Sequence, residues 1–282
     1  MSLLADNPVF RREARWWLRL RRLRKNKALA WPVGVMLLCL ACFYWRGLMA
    51  FFHGADVNDA RTGWIVSLFV VLGVIVLLAP TLSANAISQE REQQTWETLA
   101  ATRLTAGQVL AGKWLARLVP VGLFILLALP PLLGCGFIGG ISWLEALAVL
   151  AFLLATAAFF SLVGLTCSFL ARKTMTAITL SVTVAMLLCL GTYIMDLLIG
   201  GMIGDPWYND GDLLVWGNPF YVLAILLQWL DPTGSPVPPQ ASTVVGTYSG
   251  MLLLAIVICF YYMLTRYRRA VRGGRPLGEP LK

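Results

Sequence analysis

Residues 64–87, WIVSLFVVLGVIVLLAPTLSANAI, decide the fold class of this chain. The stretch holds no charged residue, and about 20 apolar residues are enough for an α-helix to cross the hydrocarbon core of a bilayer. The whole chain agrees, with 59% hydrophobic residues, 13% charged residues and a mean hydropathy of +0.73. This composition is typical of a membrane protein and excludes an ordinary soluble domain.

Six stretches are apolar and long enough to span a membrane as helices. They are residues 28–45, 64–87, 115–137, 143–170, 175–195 and 243–264. The sequence therefore predicts an all-α integral membrane protein whose six-helix transmembrane domain covers residues 28–265. An even number of spans leaves both termini on the same side of the membrane.

The connections between the predicted spans differ in charge. All 23 Lys and Arg residues except Arg46 and Arg61 fall in the N-terminal segment, the second connection with the first turn of the third span (Arg117), the fourth connection or the tail, residues 266–282. The outer loop at 202–243 holds acidic residues and no basic ones. By the positive-inside rule, both termini and the second connection are cytoplasmic, in a multi-pass protein of the inner (cytoplasmic) membrane. The net charge of +9 thus follows from topology, and we expect no nucleic-acid partner.

The N-terminal segment, residues 1–27, is rich in arginine. Asn7 and Pro8 are typical of a helix start, and a helical wheel places most arginines opposite the apolar side chains. We predict an amphipathic interfacial helix on the cytoplasmic surface of the bilayer, the alternative being a charge cluster that only sets orientation. Its interfacial residues are Arg11, Arg12, Arg15, Trp16, Trp17, Arg19 and Arg22.

A charged insert, residues 88–113 (SQEREQQTWETLAATRLTAGQVLAGK), follows the second predicted span. The pattern predicts a helix continuous with that span, a turn at 102–107, and a short helix from Gln108 that leads into the third span. Residues 107–113 fit the GxxxxGK part of a phosphate-binding loop, but Trp114 stands where that loop needs Ser or Thr. We therefore expect no nucleotide site there, and we expect Lys113 to bind lipid phosphates.

The insert resembles a known family. Its ER…TxETL…T…LT…VLAGK pattern is similar to that of type-2 ATP-binding-cassette (ABC) exporter permeases, with support from NPVFRR at residues 7–12 and from Asn218-Pro219-Phe220. The resemblance implies a permease subunit that is not an enzyme and holds no cofactor, while ATP and Mg²⁺ bind a separate cytosolic ATPase subunit. It also implies a second permease chain, in a homodimer or a heterodimer, and a cytoplasmic coupling helix in the insert.

In this interpretation the insert docks on the ATPase and transmits its movement to the spans. We expect the docking surface to lie between residues 95 and 105, and the glutamates to pair with arginines of the N-terminal helix. The alternative is a solvated charged face that contributes little. The coupling residues are Glu90, Arg91, Glu92, Thr95, Trp96, Glu97, Leu99, Thr102, Arg103, Leu104 and Thr105.

The spans offer fewer functional residues. Thr176, Thr179 and Thr183 share one face of the fifth span, and we predict that they line a cavity while the small residues opposite pack on a neighbouring helix. The reverse assignment stays open, because membrane threonines often bond their own backbone. His53 is the only histidine, so we expect no metal site.

The outer loop at 202–243 is too long for a simple connection. Asn218-Pro219 is typical of a helix start, and residues 220–230 form an apolar run of re-entrant rather than spanning length. We predict an outer re-entrant helix that acts as a lid over an exit or as a passive plug.

The predicted function is export of an apolar or amphipathic substrate from the cytoplasm, driven by the ATPase partner through the coupling helix. Two alternatives are a secondary carrier and a non-transporting membrane scaffold. A carrier normally needs charges inside the membrane, and the predicted spans hold almost none. An intramembrane enzyme lacks candidate catalytic groups.

Overall fold

The structure is a computed structural model, and it describes residues 34, 38, 41, 42, 44, 45, 49, 57–93, 105–171, 173–203, 215–230 and 241–273. The regular secondary structure of these residues is helical throughout. The predicted interfacial helix, most of the first predicted span and the end of the basic tail lie outside the described residues.

Seven α-helices build the described part of the chain. They are α1 (Val57–Glu92), α2 (Ala106–Ile138), α3 (Trp143–Leu170), α4 (Thr174–Met186), α5 (Thr192–Ile203), α6 (Pro219–Trp229) and α7 (Ala241–Gly273). A π-helical turn, Leu187–Gly191, joins α4 to α5, and a 3₁₀ turn, Val215–Gly217, precedes α6. Among the described residues, five stretches are long and apolar enough to cross a membrane: α1, α2, α3, α4 with its continuation into α5, and α7. They correspond to the second to sixth predicted spans.

α1 and α2 are longer than the apolar runs that predict them. α1 extends the run at 64–87 in both directions, and α2 begins at Ala106, so the short helix expected from Gln108 and the third span are one helix. α3 coincides with the predicted span at 143–170. Of the first predicted span, Tyr44 is described as helical, and its hydroxyl donates to the Leu127 carbonyl of α2 at 3.1 Å.

α1 is the central helix of the described bundle. It contacts α2, α3, α4 and α6, and Leu72, Ile75 and Ala79 have no exposed surface. α4 and α7 lie further out and expose apolar side chains such as Met175 and Tyr261. Such faces require lipid or another protein chain as a surround rather than water.

α1 and α3 approach each other very closely at Pro80 and Gly164. A Cβ atom on Gly164 would lie 2.7 Å from Pro80 Cα and 2.9 Å from its carbonyl carbon. Only glycine allows the two backbones to approach this closely, as is common where helices pack inside membranes. This crossing fixes the distance between the second and fourth predicted spans.

The short outer helix predicted after Asn218 is present as α6. Asn218 caps it, since its Oδ1 accepts a hydrogen bond of 3.0 Å from the Phe220 N–H, and Pro219 occupies the first turn. The Asn218 Nδ2 donates to the carbonyl of Cys189 at 2.7 Å, inside the π-helical turn. α6 also stacks Phe220 on Phe69 of α1, with ring centroids 6.5 Å apart. A role for α6 as a lid or a plug stays a prediction.

Candidate functional site

The candidate site lies at one end of the bundle, which we call the insert end. Here α1, α3 and α7 end while α2 and α4 begin, so four predicted spans besides α1 reach the base of the charged insert. Glu90, Arg91 and Glu92 form the last turn of α1. Each of these three side chains makes a contact with a different neighbouring element.

Glu90 ties α1 to α2 through Lys113. The Lys113 Nζ lies 2.7 Å from Glu90 Oε1 and donates to the carbonyl of Ala86 at 3.0 Å. Lys113 has no exposed surface, and the Glu90 side chain is 16% exposed. The expectation that Lys113 binds lipid phosphates is therefore wrong: its ammonium group is held inside the bundle by a carboxylate and a backbone carbonyl, which compensate its burial.

The same geometry explains why the GxxxxGK match is not a phosphate-binding loop. Gly107–Lys113 lie within the first two turns of α2, where the N–H of Gln108 is bonded to the Thr105 hydroxyl and the N–H of Val109 to the Thr105 carbonyl. A phosphate-binding loop instead needs free N–H groups that converge on the phosphates before a helix begins. Thr105 and Gln108 form a capping box at the start of α2, with bonds of 3.0 and 3.4 Å.

Arg91 ties α1 to the end of α3. Its Nη2 donates to the carbonyl of Phe169 at 2.8 Å and its Nη1 to the carbonyl of Ala171 at 3.0 Å. The guanidinium carbon lies 5.5 Å from the centre of the Phe169 ring, which adds a cation–π contact. The last carbonyls of a helix have no partner within it, so Arg91 supplies one from another helix.

Glu92 ties α1 to the start of α4. Its carboxylate accepts from the Thr174 N–H at 2.8 Å and from the Thr174 hydroxyl at 2.7 Å. Lys173, the N-cap residue of α4, makes no capping hydrogen bond with its side chain. The Glu92 carboxylate takes over this function, because it offers an acceptor and a negative charge to the positive end of the helix dipole.

These contacts differ from the pairing predicted for the insert glutamates. The described partner of Glu90 is Lys113, and the described partner of Glu92 is Thr174. The arginines of the N-terminal segment lie outside the described residues, so a further contact from Glu90, Glu92 or Glu97 to them stays a prediction.

Serine hydroxyls join α1 to α3 one turn further into the bundle. The Ser168 Oγ accepts from the N–H groups of Ile87 and Ser88 at 2.9 and 3.0 Å. Deeper in the bundle, the hydroxyls of Ser83 and Ser161 lie 2.7 Å apart. All five residues are fully buried, so the base of the insert is held by polar contacts in a dry environment, where they are strong.

α7 covers this region from the outside. Met263 and Tyr267 are buried in one apolar cluster with Val109 and Leu110 of α2, and Leu264 lies next to Gly107. The end of the last predicted span thus packs on the start of α2. The insert end therefore combines all five long helical stretches of the described chain.

Most of the predicted docking surface lies outside the described residues. Thr95, Trp96, Glu97, Leu99, Thr102, Arg103 and Leu104 belong to this undescribed part of the chain. Thr105 is described as exposed at the start of α2. Arg11, Arg12, Arg15, Trp16, Trp17, Arg19 and Arg22 also lie outside the described residues.

The predicted cavity threonines lie on an exposed face of α4. Thr176, Thr179 and Thr183 are exposed, and the Thr179 hydroxyl donates to backbone carbonyls of its own helix. On the other face Ala177, Ser181 and Ala185 are buried, as expected for small residues at a helix contact. A cavity role for the threonines stays a prediction.

Sequence reasoning missed three contacts of the site. The partner of Lys113, the double contact of Arg91 and the insertion of Ser168 all join residues far apart in sequence. The single sequence signal for these contacts was the presence of adjacent acidic and basic residues at 90–92, shortly after the apolar run at 64–87.

A comparison with protein families identifies the family of the chain. The sequence model described as "ABC-2 family transporter protein" matches residues 25–270, which is most of the chain. The chain therefore belongs to the ABC-2 transporter family and is a multi-pass membrane permease. The family provides the membrane component of a transporter that works with an ATPase partner. A comparison with curated proteins gave no match.

Proposed function

We propose that the chain is the membrane-spanning subunit of an ABC exporter, and that it moves an apolar or amphipathic substrate out of the cytoplasm. A separate ATPase subunit binds ATP and Mg²⁺ and docks on the insert between residues 95 and 105. The observation that carries the proposal is the last turn of α1, where Glu90, Arg91 and Glu92 are bonded to α2, α3 and α4.

The physical argument concerns rigidity. A movement of the ATPase reaches the membrane only through an element that is joined firmly to the spanning helices. α1 continues without interruption from the centre of the bundle to Glu92. A force applied beyond Glu92 therefore displaces the central helix together with its neighbours.

The charges support a cytoplasmic insert end in the inner membrane. Arg91, Lys113, Lys173 and Arg268 lie at the insert end, and Arg61 lies near the opposite end. The positive-inside rule supports a cytoplasmic insert, on the side where a cytosolic ATPase is available, and with the six predicted spans both termini lie on that side.

The exposed apolar faces of α4 and α7 support a second permease chain. Leu180 and Val257 are examples of side chains that the described chain itself does not cover. In the proposed dimer, one of these faces contacts the partner chain and the other contacts lipid, and the substrate pathway runs between the two chains. If the α4 face is the one at the partner chain, Thr176, Thr179 and Thr183 lie next to that pathway.

Co-purification and ATP hydrolysis test this function. The tagged full chain is purified from its native membrane, and we expect an ATPase subunit to co-purify and to hydrolyse ATP at a rate that depends on the permease. The double substitution Trp96→Ala with Leu99→Ala should leave the chain in the membrane but abolish this dependence. Unchanged stimulation would show that the docking assignment is wrong.

A matched control uses the same residue types at the opposite end of the bundle. Trp143 and Leu144 are 69% and 71% exposed at the start of α3. Trp143→Ala with Leu144→Ala should leave the stimulation of ATP hydrolysis intact. If both double variants lose it equally, the loss reflects a general defect rather than docking.

A further inference from the structure

The described residues of the turn between α3 and α4, Ala171 and Lys173, supply no side-chain cap. Ala171 ends α3 with an extended backbone, and Lys173 precedes α4 without a capping side-chain bond. The carbonyls of Phe169 and Ala171 instead receive the Arg91 guanidinium, and the N–H of Thr174 is bonded to the Glu92 carboxylate. Two adjacent residues of α1 thus cap both sides of one turn.

The chemistry of the two contacts suits this arrangement. A helix ends in carbonyls and carries a partial negative charge, which matches a guanidinium, and it begins in N–H groups with a partial positive charge, which matches a carboxylate. Arg91 places its positive charge at the end of α3, and Glu92 places its negative charge at the start of α4. Both contacts also fix the orientation of the side chains, because each is made by two hydrogen bonds, and Arg91 adds a ring contact with Phe169.

We infer that Arg91 and Glu92 are positioning residues that transmit a movement of the insert directly to α4, in addition to the movement that it transmits to α2. A displacement of the last turn of α1 reaches α2 through the chain itself, and it reaches α4 through the Glu92–Thr174 contact. The fifth predicted span therefore moves with the insert directly rather than only through packing inside the bundle. This inference rests on the proposed coupling function and adds a route to it.

The test follows two spin-label reporters in the full complex with its ATPase subunit. The six cysteines of the chain are replaced by alanine, and a single cysteine is introduced by Thr179→Cys on α4 or by Leu123→Cys on α2. Both parent side chains are exposed. The mobility of each label is measured by electron paramagnetic resonance before and after trapping with Mg-ATP and orthovanadate.

We expect both reporters to respond to trapping in the parent chain. Glu92→Ala or Thr174→Val should reduce the response at residue 179 by at least half while the response at residue 123 persists. Thr174→Ser retains the hydroxyl and is the matched control, with an unchanged response at both sites. Since Glu92 is exposed, the amount of assembled complex should stay constant in all variants.

Two results would overturn the inference while coupling itself stands. One is a full response at residue 179 in the Glu92→Ala chain. The other is an equal loss of response at both reporters, which would mean that the contact stabilises the insert rather than transmits its movement to α4. If neither reporter responds in the parent complex, the proposed coupling function fails and the inference fails with it.

Discussion

Gly164 of α3 faces the backbone of Pro80 in α1 so closely that a Cβ atom at position 164 would lie 2.7 Å from Pro80 Cα. The atoms it would meet belong to a backbone, which cannot rotate away as a flexible side chain can. We predict that Gly164→Ala forces the two helices apart and destabilises the chain by about 1–3 kcal/mol, in spite of the better helix propensity of alanine.

Gly122→Ala is the matched control for this change. Gly122 lies in α2, and a Cβ atom there would have nothing within 4 Å. Thermal unfolding in detergent, followed by size-exclusion chromatography, should show a lower midpoint for the Gly164 variant and an equal or higher one for the Gly122 variant. Equal midpoints for the two variants would contradict the tight crossing.

The buried pair of Lys113 and Glu90 should show strong energetic coupling. Removing one partner leaves a charge in a dry site, and we expect Lys113→Met or Glu90→Leu alone to cost about 3 kcal/mol, at the lower end for buried pairs because Glu90 retains some exposure. The double substitution should cost clearly less than the sum of the two. Denaturation of the four chains in a double-mutant cycle measures the difference.

Lys173→Met provides the reference for the loss of a lysine at the same end of the bundle. Lys173 is exposed, so its replacement should change the unfolding midpoint little. If the costs of the Lys113 and Glu90 substitutions in unfolding free energy add strictly, the two side chains do not stabilise the chain through their mutual contact.

Asn218 should stabilise two elements at once, the start of α6 and the π-helical turn. Asn218→Ala removes both contacts, and the expected cost is about 2 kcal/mol, roughly half from the cap and half from the buried hydrogen bond. Asn218→Ser keeps a capping hydroxyl but does not reach the carbonyl of Cys189. Hydrogen exchange should therefore accelerate at residues 187–195 in both variants, and at the start of α6 only in the alanine variant. Parent-like exchange at 187–195 in both would count against the contact.

Ser168 should matter more than another buried serine of similar exposure. Ser168→Ala removes the acceptor for two N–H groups of α1 and should cost about 1–2 kcal/mol. Ser67 is also buried, but its hydroxyl donates to Gly63 of its own helix, so Ser67→Ala should cost little. The two midpoints of thermal unfolding give the comparison, and a larger loss for Ser67→Ala would be the opposite of the expected order.

Hydropathy was sufficient to predict the five membrane-length helical stretches of the described residues, but not their contacts. The span at 143–170 has the predicted bounds because Ser142 and Glu145 form a capping box at its start, which is a local signal. Asn218-Pro219 predicted α6 for the same reason. The role of Lys113 was predicted wrongly, because a lysine at the edge of an apolar run usually reaches the lipid surface, and only the fold brings Glu90 to it.

The caps supplied by Arg91 and Glu92 could not be predicted from local patterns either. They depend on the position of the α3–α4 turn, which lies some 80 residues further along the chain. The prediction for α4 was confirmed in part. The sequence identified two opposite faces of this helix, and the structure buries the face that carries the small residues.

The π-helical turn has a consequence for the comparison of this chain with its relatives. A turn of this kind contains one residue more than a turn of α-helix, and each residue of an α-helix rotates the direction of a side chain by about 100°. The side chains of α5, including Tyr193 and Asp196, therefore face directions that an uninterrupted helix from Thr174 would not give them. An alignment of the fifth span without a gap near Cys189 would assign the outer half of that span to the wrong face in any relative that lacks the extra residue.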